Sequence, residues 1–284
     1  MKRLRILHVI GGLAPGGAER QLVTLASFQA REHEVFVACL AEKGALAEEI
    51  EAAGIPVSLL GKRPGFDLAA FLRLARLLKK KRIVLIHTHL FSANLWGRLA
   101  ALLAGTPIRV IHEHSTFSFE RRSQRLAGRI LAPFTDAAVC VSKEIARRAV
   151  RQGGLAPDRV ALIRNGIRLE PYEAARARRP APSQGASLVL SVGALEPRKD
   201  HRTFLQAARR LLERGVKAEF LIVGDGPLRP ELESLARRGG HADAIRFLGV
   251  RRDVPDLLAQ RPLQVSSTRT EGPSLALLEA LAAG

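Results

Sequence analysis

Short aliphatic runs alternate with amphipathic stretches along the whole chain. RILHVI (5–10), VFVACL (35–40), PVSLL (56–60), IVLIH (83–87), PIRVIH (107–112) and AAVCVS (137–142) read as strands. The segments between them, including about 18–31, 44–53 and 67–81, repeat apolar residues at helical spacing. Apolar runs without polar alternation fit strands buried on both faces. The strand–helix rhythm therefore predicts an α/β fold with a parallel sheet covered by helices. It breaks over 168–186, where three prolines and a basic cluster carry no strand pattern, and this stretch reads as an inter-domain linker. It then restarts with strands at 187–193, 218–224, 245–249 and 263–267, separated by helical patterns at 200–214, 227–238 and 253–259. A last helix begins near Pro273 and still runs at the final Gly284. The expected organisation is a first domain over 1–167, a linker over 168–186 and a second domain over 187–284. A doubly wound domain normally closes with further strand–helix units, so the second domain reads as truncated.

The balance of 47% hydrophobic and 25% charged residues suits a globular protein. No run approaches the roughly 18 apolar residues of a membrane-spanning helix. The start, Met1 to Ile10, lacks the long apolar core and cleavage site of a secretory leader. A cytoplasmic protein, or one lying peripherally at the inner face of a membrane, is expected. Cys39 and Cys140 sit inside strand runs and read as buried thiols. The net charge of +18 is uneven: residues 1–180 carry +15 and residues 181–284 only +3. That asymmetry points to an anionic partner for the first half, although a bias toward arginine and alanine produces the same count. Nucleic acid is disfavoured as that partner, because aromatics make up 5% of the chain and no recognition motif occurs.

Four constellations carry candidate chemistry. Gly11-Gly12-Leu13-Ala14-Pro15-Gly16-Gly17 joins the first strand to the first helix. Glycines there let amides approach a phosphate at a helix N-terminus, though a plain tight turn needs them too. The spacing is not that of a dinucleotide loop, and no acidic residue ends the second strand, which disfavours a nicotinamide enzyme. Arg198-Lys199 follows a strand at its C-terminal end, where open α/β sheets bind ligands. A guanidinium fork and an ammonium together match a diphosphate; solvated helix-entry charge is the bland alternative. Glu271 and Glu279 bracket a helix start at Gly272-Pro273-Ser274, with free amides near Ser274 and Leu275 as another anion site. Their separation of about 12 Å along a helix axis exceeds the spacing of about 5–10 Å in glycosidase carboxylate pairs. They suit two different parts of one ligand, and ordinary helix surface is the alternative for Glu279. His114, with His87, His89 and His112, collects at strand ends. A histidine there is most often structural, and no cysteine or carboxylate completes a metal site, so no metal is assigned. Lys79-Lys80-Lys81-Arg82 reads as a helix end, and Ser142 as an N-cap.

Together the segments GGLAPGGAERQL, HTHLFSANLWGRLAA, VIHEHS, VCVSKEI, LIRNGI, SVGALEPRKD, LIVGDGPL, IRFLG and SSTRTEGPSLALLEALAAG resemble the retaining glycosyltransferases of family 4. The resemblance spans nearly the whole chain, and its most specific part is a Glu-x7-Glu signature, here Glu271 and Glu279. It implies the GT-B architecture: two Rossmann-like domains with parallel sheets, the second incomplete. It further implies that Gly16 and Gly17 approach the donor diphosphate while Arg198 and Lys199 neutralise it. Glu271 would bond the transferred sugar, Glu279 the ribose hydroxyls, and His114 would lie near the donor sugar. The chain departs from the family in having Ala194 where an arginine usually follows Val-Gly, which removes one phosphate cation.

The function so implied is transfer of a sugar from a UDP- or GDP-linked donor to an acceptor hydroxyl, with retention of configuration. No divalent metal or cofactor is called for, and the setting is cell-surface polysaccharide or glycolipid synthesis. The +15 of residues 1–180 suits an anionic or lipid-linked saccharide acceptor, with 68–82 and 121–134 as candidate contacts to an anionic membrane. Two other classes stay open: a nucleotide-sugar-binding protein of the same fold without turnover, and a basic nucleic-acid-binding α/β protein.

Overall fold

The computed structural model describes residues 3–178, 187–240, 242–269 and 274–284. The chain forms two compact units, residues 1–165 and 166–284.

The first unit contains a seven-stranded parallel sheet. Its strands are β1 (Arg5–Gly12), β2 (Glu34–Glu42), β3 (Val57–Leu59), β4 (Leu85–His89), β5 (Ile108–Glu113), β6 (Ala137–Cys140) and β7 (Val160–Leu162), in the order β3-β2-β1-β4-β5-β6-β7. Alternation along each strand sends one set of side chains to each face. Leu7, Val9, Phe36, Ala38 and Ile86 meet α3 (Leu68–Lys80) and α4 (Leu90–Ala104) through Leu74, Leu78, Ala93, Trp96 and Ala100. Ile10, Val35, Val37 and Cys39 meet α1 (Gly17–Gln29) and α2 (Ala47–Ala52) through Leu22, Val23, Ala26 and Ile50. Ile111, Ala138 and Cys140 pack on α6 (Lys143–Arg151), and α5 (Arg122–Leu131) precedes β6. Both cysteines are free and buried, and burial pushes their thiols up to about 12, so neither is a ready nucleophile.

The second unit has the parallel sheet β10-β9-β8-β11, built from β8 (Ser187–Val192), β9 (Ala218–Val223), β10 (Ile245–Gly249) and β11 (Leu263–Gln264). One face packs α8 (His201–Glu213) and α9 (Arg229–Arg238) against Val189, Phe220 and Ile222. On the other, Leu190, Leu221 and Val223 meet Tyr172, Leu257, Leu258 and Ala283. These last residues come from α7 (Glu170–Ala177), α10 (Val254–Ala259) and α11 (Leu275–Ala283).

Two readings of the sequence need correction. The expected linker over 168–186 begins with α7, which buries Tyr172 and Ala175 and belongs to the second unit; residues 179–186 lie outside the described residues. Pro171 occupies the first turn of that helix, where its missing N–H costs nothing. The short strand β7 was also not expected: three residues, two of them exposed, carry too little apolar pattern. Ser142 does cap α6, accepting from the Ile145 amide at 3.2 Å, and Lys79 and Lys80 close α3.

Helix α4 sits unusually close to β4. A Cβ on Gly97 would lie 2.3 Å from Thr88 Cγ2 and 3.3 Å from Ile86 Cδ1. Thr88 cannot swing aside, since its hydroxyl donates to Asn94 Oδ1 at 2.7 Å. Gly97→Ala should therefore destabilise the first unit by about 1–3 kcal/mol. Urea unfolding followed by the fluorescence of Trp96, the chain's one tryptophan, measures this; an unchanged midpoint would refute the close packing.

Candidate active site

In the second unit the strand-to-helix loops converge at the C-terminal edge of the sheet. After β8 the chain runs through Gly193-Ala194-Leu195-Glu196 into a single 3-10 turn, Pro197–Lys199, and then enters α8 through Asp200 at φ +49°. A non-glycine residue in that region is held there by its surroundings. Here Asp200 accepts from Arg269 Nε at 2.8 Å and from Thr203 Oγ1 at 3.0 Å, and these bonds hold its carboxyl below the usual range. The loop after β11 is stitched to the same turn: Ser267 Oγ donates to the Lys199 carbonyl at 3.0 Å, and the Arg269 amide to the Arg198 carbonyl at 3.1 Å. From the other side the loop after β9 lies directly on the backbone of the β8 loop. A Cβ on Gly224 would fall 2.0 Å from the Gly193 carbonyl oxygen, and one on Gly226 within 2.6–2.8 Å of Leu195 backbone atoms.

Arg198 and Lys199 are thus fixed on a turn braced from both flanks. Arg198 pairs with Glu196 at 2.5 Å, and the Lys199 side chain folds over Gly193, its Nζ 3.7 Å from where a Cβ would stand. The cation pair expected from the sequence lies at the strand end, with one guanidinium already engaged by a carboxylate. Ser274 precedes α11 in extended backbone and makes no side-chain cap bond. The helix starts at Leu275, two residues later than expected, so Glu279 stands just over one turn in, half-buried. Glu271 lies outside the described residues, as do Gly272 and Pro273.

In the first unit Gly16 is the N-cap of α1 and Gly17 its first residue. Gly16 has no side chain with which to cap the helix, and the Glu19 carboxylate lies against it, where a Cβ would stand 2.2 Å from Oε2. His114 follows the end of β5. Its Nε2 is 3.1 Å from His89 Nδ1, His89 Nε2 is 3.0 Å from His8 Nδ1, and His8 Nε2 is 2.7 Å from Gln29 Oε1. His87 and His112 stack beside these rings. All five histidines are buried. Burial lowers the pKa of His8 and His114 to about 4 and that of His87, His89 and His112 well below the ordinary value.

A second polar network occupies the opposite sheet face. Glu113, raised by burial, accepts from Ser118 Oγ at 2.6 Å and Asn94 Nδ2 at 2.8 Å, and buried Arg98 donates to Thr135. Sequence reading passed over His8 and this network. The available signal was the pair His-x-His and His-x-His in neighbouring strands: with period two, all four imidazoles share one face, and the β1 register adds His8 beside His87.

Comparison with known proteins accords with this arrangement. The model of the family described as Glycosyltransferase Family 4 matches residues 15–171, and that of Glycosyl transferases group 1 matches 186–284. A Bacillus subtilis protein named as the glycosyltransferase EpsF is 30% identical over 99% of this chain and 77% of its own length. This chain belongs to glycosyltransferase family 4. An Escherichia coli UDP-Gal:alpha-D-GlcNAc-diphosphoundecaprenol alpha-1,3-galactosyltransferase is 28% identical over 99% of this family-4 chain and 78% of its own. The crystal structure of Anabaena HepE in complex with UDP and glucose superposes with a TM-score of 0.83 at 22% identity, covering 99% of this chain and 79% of that one. That likeness supports the GT-B fold of this family-4 glycosyltransferase, with one parallel α/β sheet in each unit. Among the described residues no helix is long and apolar enough to cross a membrane.

The neutral histidines of this glycosyltransferase make its stability depend on pH. Unfolded histidine takes up its proton near pH 6.5, and folded His8 and His114 near 4. Between those values the unfolded chain binds more protons. Stability is therefore complete above about pH 6.5 and falls as pH drops toward 4, by about 1.4 kcal/mol per pH unit per histidine. The urea midpoint reported by Trp96 should fall between pH 7 and 5; a flat or rising midpoint would contradict a neutral cluster.

Proposed function

We propose that this glycosyltransferase moves a sugar from a UDP- or GDP-linked donor to a hydroxyl of a saccharide acceptor, with retained anomeric configuration, in the synthesis of a cell-surface polysaccharide or glycolipid. The observation that carries the reading is the braced Arg198-Lys199 turn at the C-terminal edge of the second sheet, beside loops that glycine holds against one another. Charge develops on the departing diphosphate as the bond from the sugar's anomeric carbon to phosphate breaks. Preorganised cations and helix-terminal amides stabilise such charge without reorganising. Lys199 and Arg198 supply the charge and the amides near Ser274 and Leu275 the dipole, and Glu279 bonds the ribose. Glu271 and His114 address the transferred sugar, and Gly16 and Gly17 the phosphates, as the family resemblance implies. The acceptor oxygen forms the new bond to the anomeric carbon, and its proton passes to the leaving phosphate. On this account no divalent metal is required.

UDP is favoured over GDP, because the E. coli relative takes UDP-Gal. The names of that relative and of a Campylobacter jejuni N-acetyl-D-galactosaminyltransferase, 27% identical, carry undecaprenol diphosphate acceptors. A lipid-linked saccharide suits this chain as well. The first unit exposes Phe66 (80%) close in sequence to Lys62 and Arg63, and, on α5, Leu126 and Ile130 (both 61%) close in sequence to Arg122, Arg125 and Arg129. Exposed apolar side chains interspersed with cations are what an anionic membrane surface binds. We place the enzyme peripherally at the inner face of the membrane.

A second reading has its own support. Ala194 in place of the usual arginine, and the pairing of Arg198 with Glu196, weaken the phosphate site and favour a donor-binding protein with little turnover.

Two measurements decide these points. Across a panel of nucleotide sugars, release of UDP or GDP is expected from at least one donor, with Lys199→Ala and Glu279→Ala each lowering it by about 100-fold, roughly 2.7 kcal/mol. Binding without release by the wild type would select the second reading. In liposome sedimentation at low salt the protein should follow anionic vesicles and leave neutral ones, and equal partition would remove the membrane contact.

A further inference from the structure

Three of the five buried histidines, His8, His89 and His114, form a directional hydrogen-bonded chain with Gln29, and its direction can be worked out atom by atom. Neutral imidazole carries one N–H and one bare nitrogen. The carbonyl oxygen of Gln29 can only accept, so His8 Nε2 carries the hydrogen and His8 Nδ1 is bare. The 3.0 Å contact from His8 Nδ1 then needs a hydrogen on His89 Nε2, which leaves His89 Nδ1 bare. The 3.1 Å contact from His89 Nδ1 in turn needs a hydrogen on His114 Nε2. The chain ends at His114 Nδ1, a bare nitrogen.

The far end of this hydrogen-bonded chain is unpaired: His114 Nδ1 is buried and has no hydrogen-bond partner among the described residues. Turning the Gln29 amide around would reverse every bond and leave a buried N–H at that position. Either orientation leaves one unpaired polar atom there, so the direction is set by the Gln29 carbonyl oxygen, 2.7 Å from His8 Nε2. A metal centre fits less well, although two triplets of histidine nitrogens lie within 4.8 Å of one another. Neighbouring rings lie within 15–35° of parallel, so their lone pairs run side by side rather than toward one tetrahedral centre.

We propose that Gln29, His8 and His89 are positioning residues that lock His114 as its Nε2–H tautomer. His114 then meets its ligand only as a hydrogen-bond acceptor at Nδ1. It selects a hydroxyl, such as that of a sugar, over a carbonyl or phosphate oxygen, neither of which has a hydrogen to give. The tautomer lock stands on the geometry alone, whereas the choice of a sugar hydroxyl rests on the proposed function.

The test is long-range 1H–15N correlation on the full chain labelled with 15N-histidine, at pH 7.5. His8, His89 and His114 should each show one protonated Nε2 and one bare Nδ1. Gln29 is half-buried near the end of α1, and Gln29→Met should fold while removing the acceptor; the His114 signals should then move to intermediate, exchange-averaged positions. Gln29→Glu, which only accepts, should restore the wild-type signature. A protonated Nδ1 on His114, no response of His114 to Gln29→Met, or stoichiometric zinc in protein purified without chelator would each overturn the lock. In transfer assays Gln29→Met should lower kcat about tenfold and leave UDP affinity unchanged. Full activity beside an altered His114 signature would refute the ligand choice and leave the lock standing. Absence of transfer by the wild type would count against the proposed function, with the spectra still deciding the lock.

Discussion

Every strand described in this chain pairs parallel to its neighbours, and the consequences of that one constraint organise both units. Parallel pairing sends all strand-to-helix loops of a sheet to one edge, where backbone N–H groups and helix N-termini gather. In the second unit the loops after β8, β9 and β11 meet at that edge. The space is found by glycine: Gly224 and Gly226 let the loop after β9 rest on the backbone of Gly193 and Leu195. Side chains would hold these loops apart. Because they touch, the Arg198-Lys199 turn is braced by Ser267 and Arg269 on one side and by the glycines on the other. A rigid cation pair is what stabilisation of a leaving diphosphate asks for, since no ordering cost then falls on the moment of reaction.

The first unit meets the same constraint with different residues. Its β4 ends in His89 and β5 runs into His114, and period-two alternation together with the β1 register puts five imidazoles on one face. Burial keeps them neutral, and neutrality makes the chain of N–H···N bonds directional. The opposite face carries Glu113, Asn94, Ser118 and Arg98, a network in which the buried carboxylate has partners. Pairing lowers the cost of burying these polar groups, and it ties β4 and β5 to the start of α4. Leu90 enters that helix at φ +68°, a strained step that sets the direction of the chain directly after His89.

Much of this could be read from the residues alone. Apolar runs marked ten of the eleven described strands, because strands buried on both faces need no alternation to be recognised. Arg198 and Lys199 were legible since they directly follow such a run, and Ser142 because a cap needs only its own residue and the next three. What escaped detection depended on register or on small burial. His8 becomes a partner of His89 only once β1 is set beside β4. Strand β7 exposes two of its three residues, and α7 hides in a Pro- and Arg-rich segment that mimics a linker, its membership of the second unit decided by Tyr172 and Ala175. Glu271 and Glu279 stood out as carboxylates bracketing a helix start, with ordinary helix surface as the alternative for Glu279, while their roles toward sugar and ribose came from the family's signature.

The central claim is that the second unit recognises the diphosphate of a nucleotide donor through a preorganised cation turn. Calorimetric titration of UDP against uridine tests this most directly, because the two ligands share the base and ribose and differ in the groups that Arg198, Lys199 and the helix amides would meet. The account predicts UDP affinity at least about 100-fold above that of uridine, a difference of roughly 2.7 kcal/mol, shrinking in Lys199→Ala. Equal affinities for UDP and uridine would contradict it.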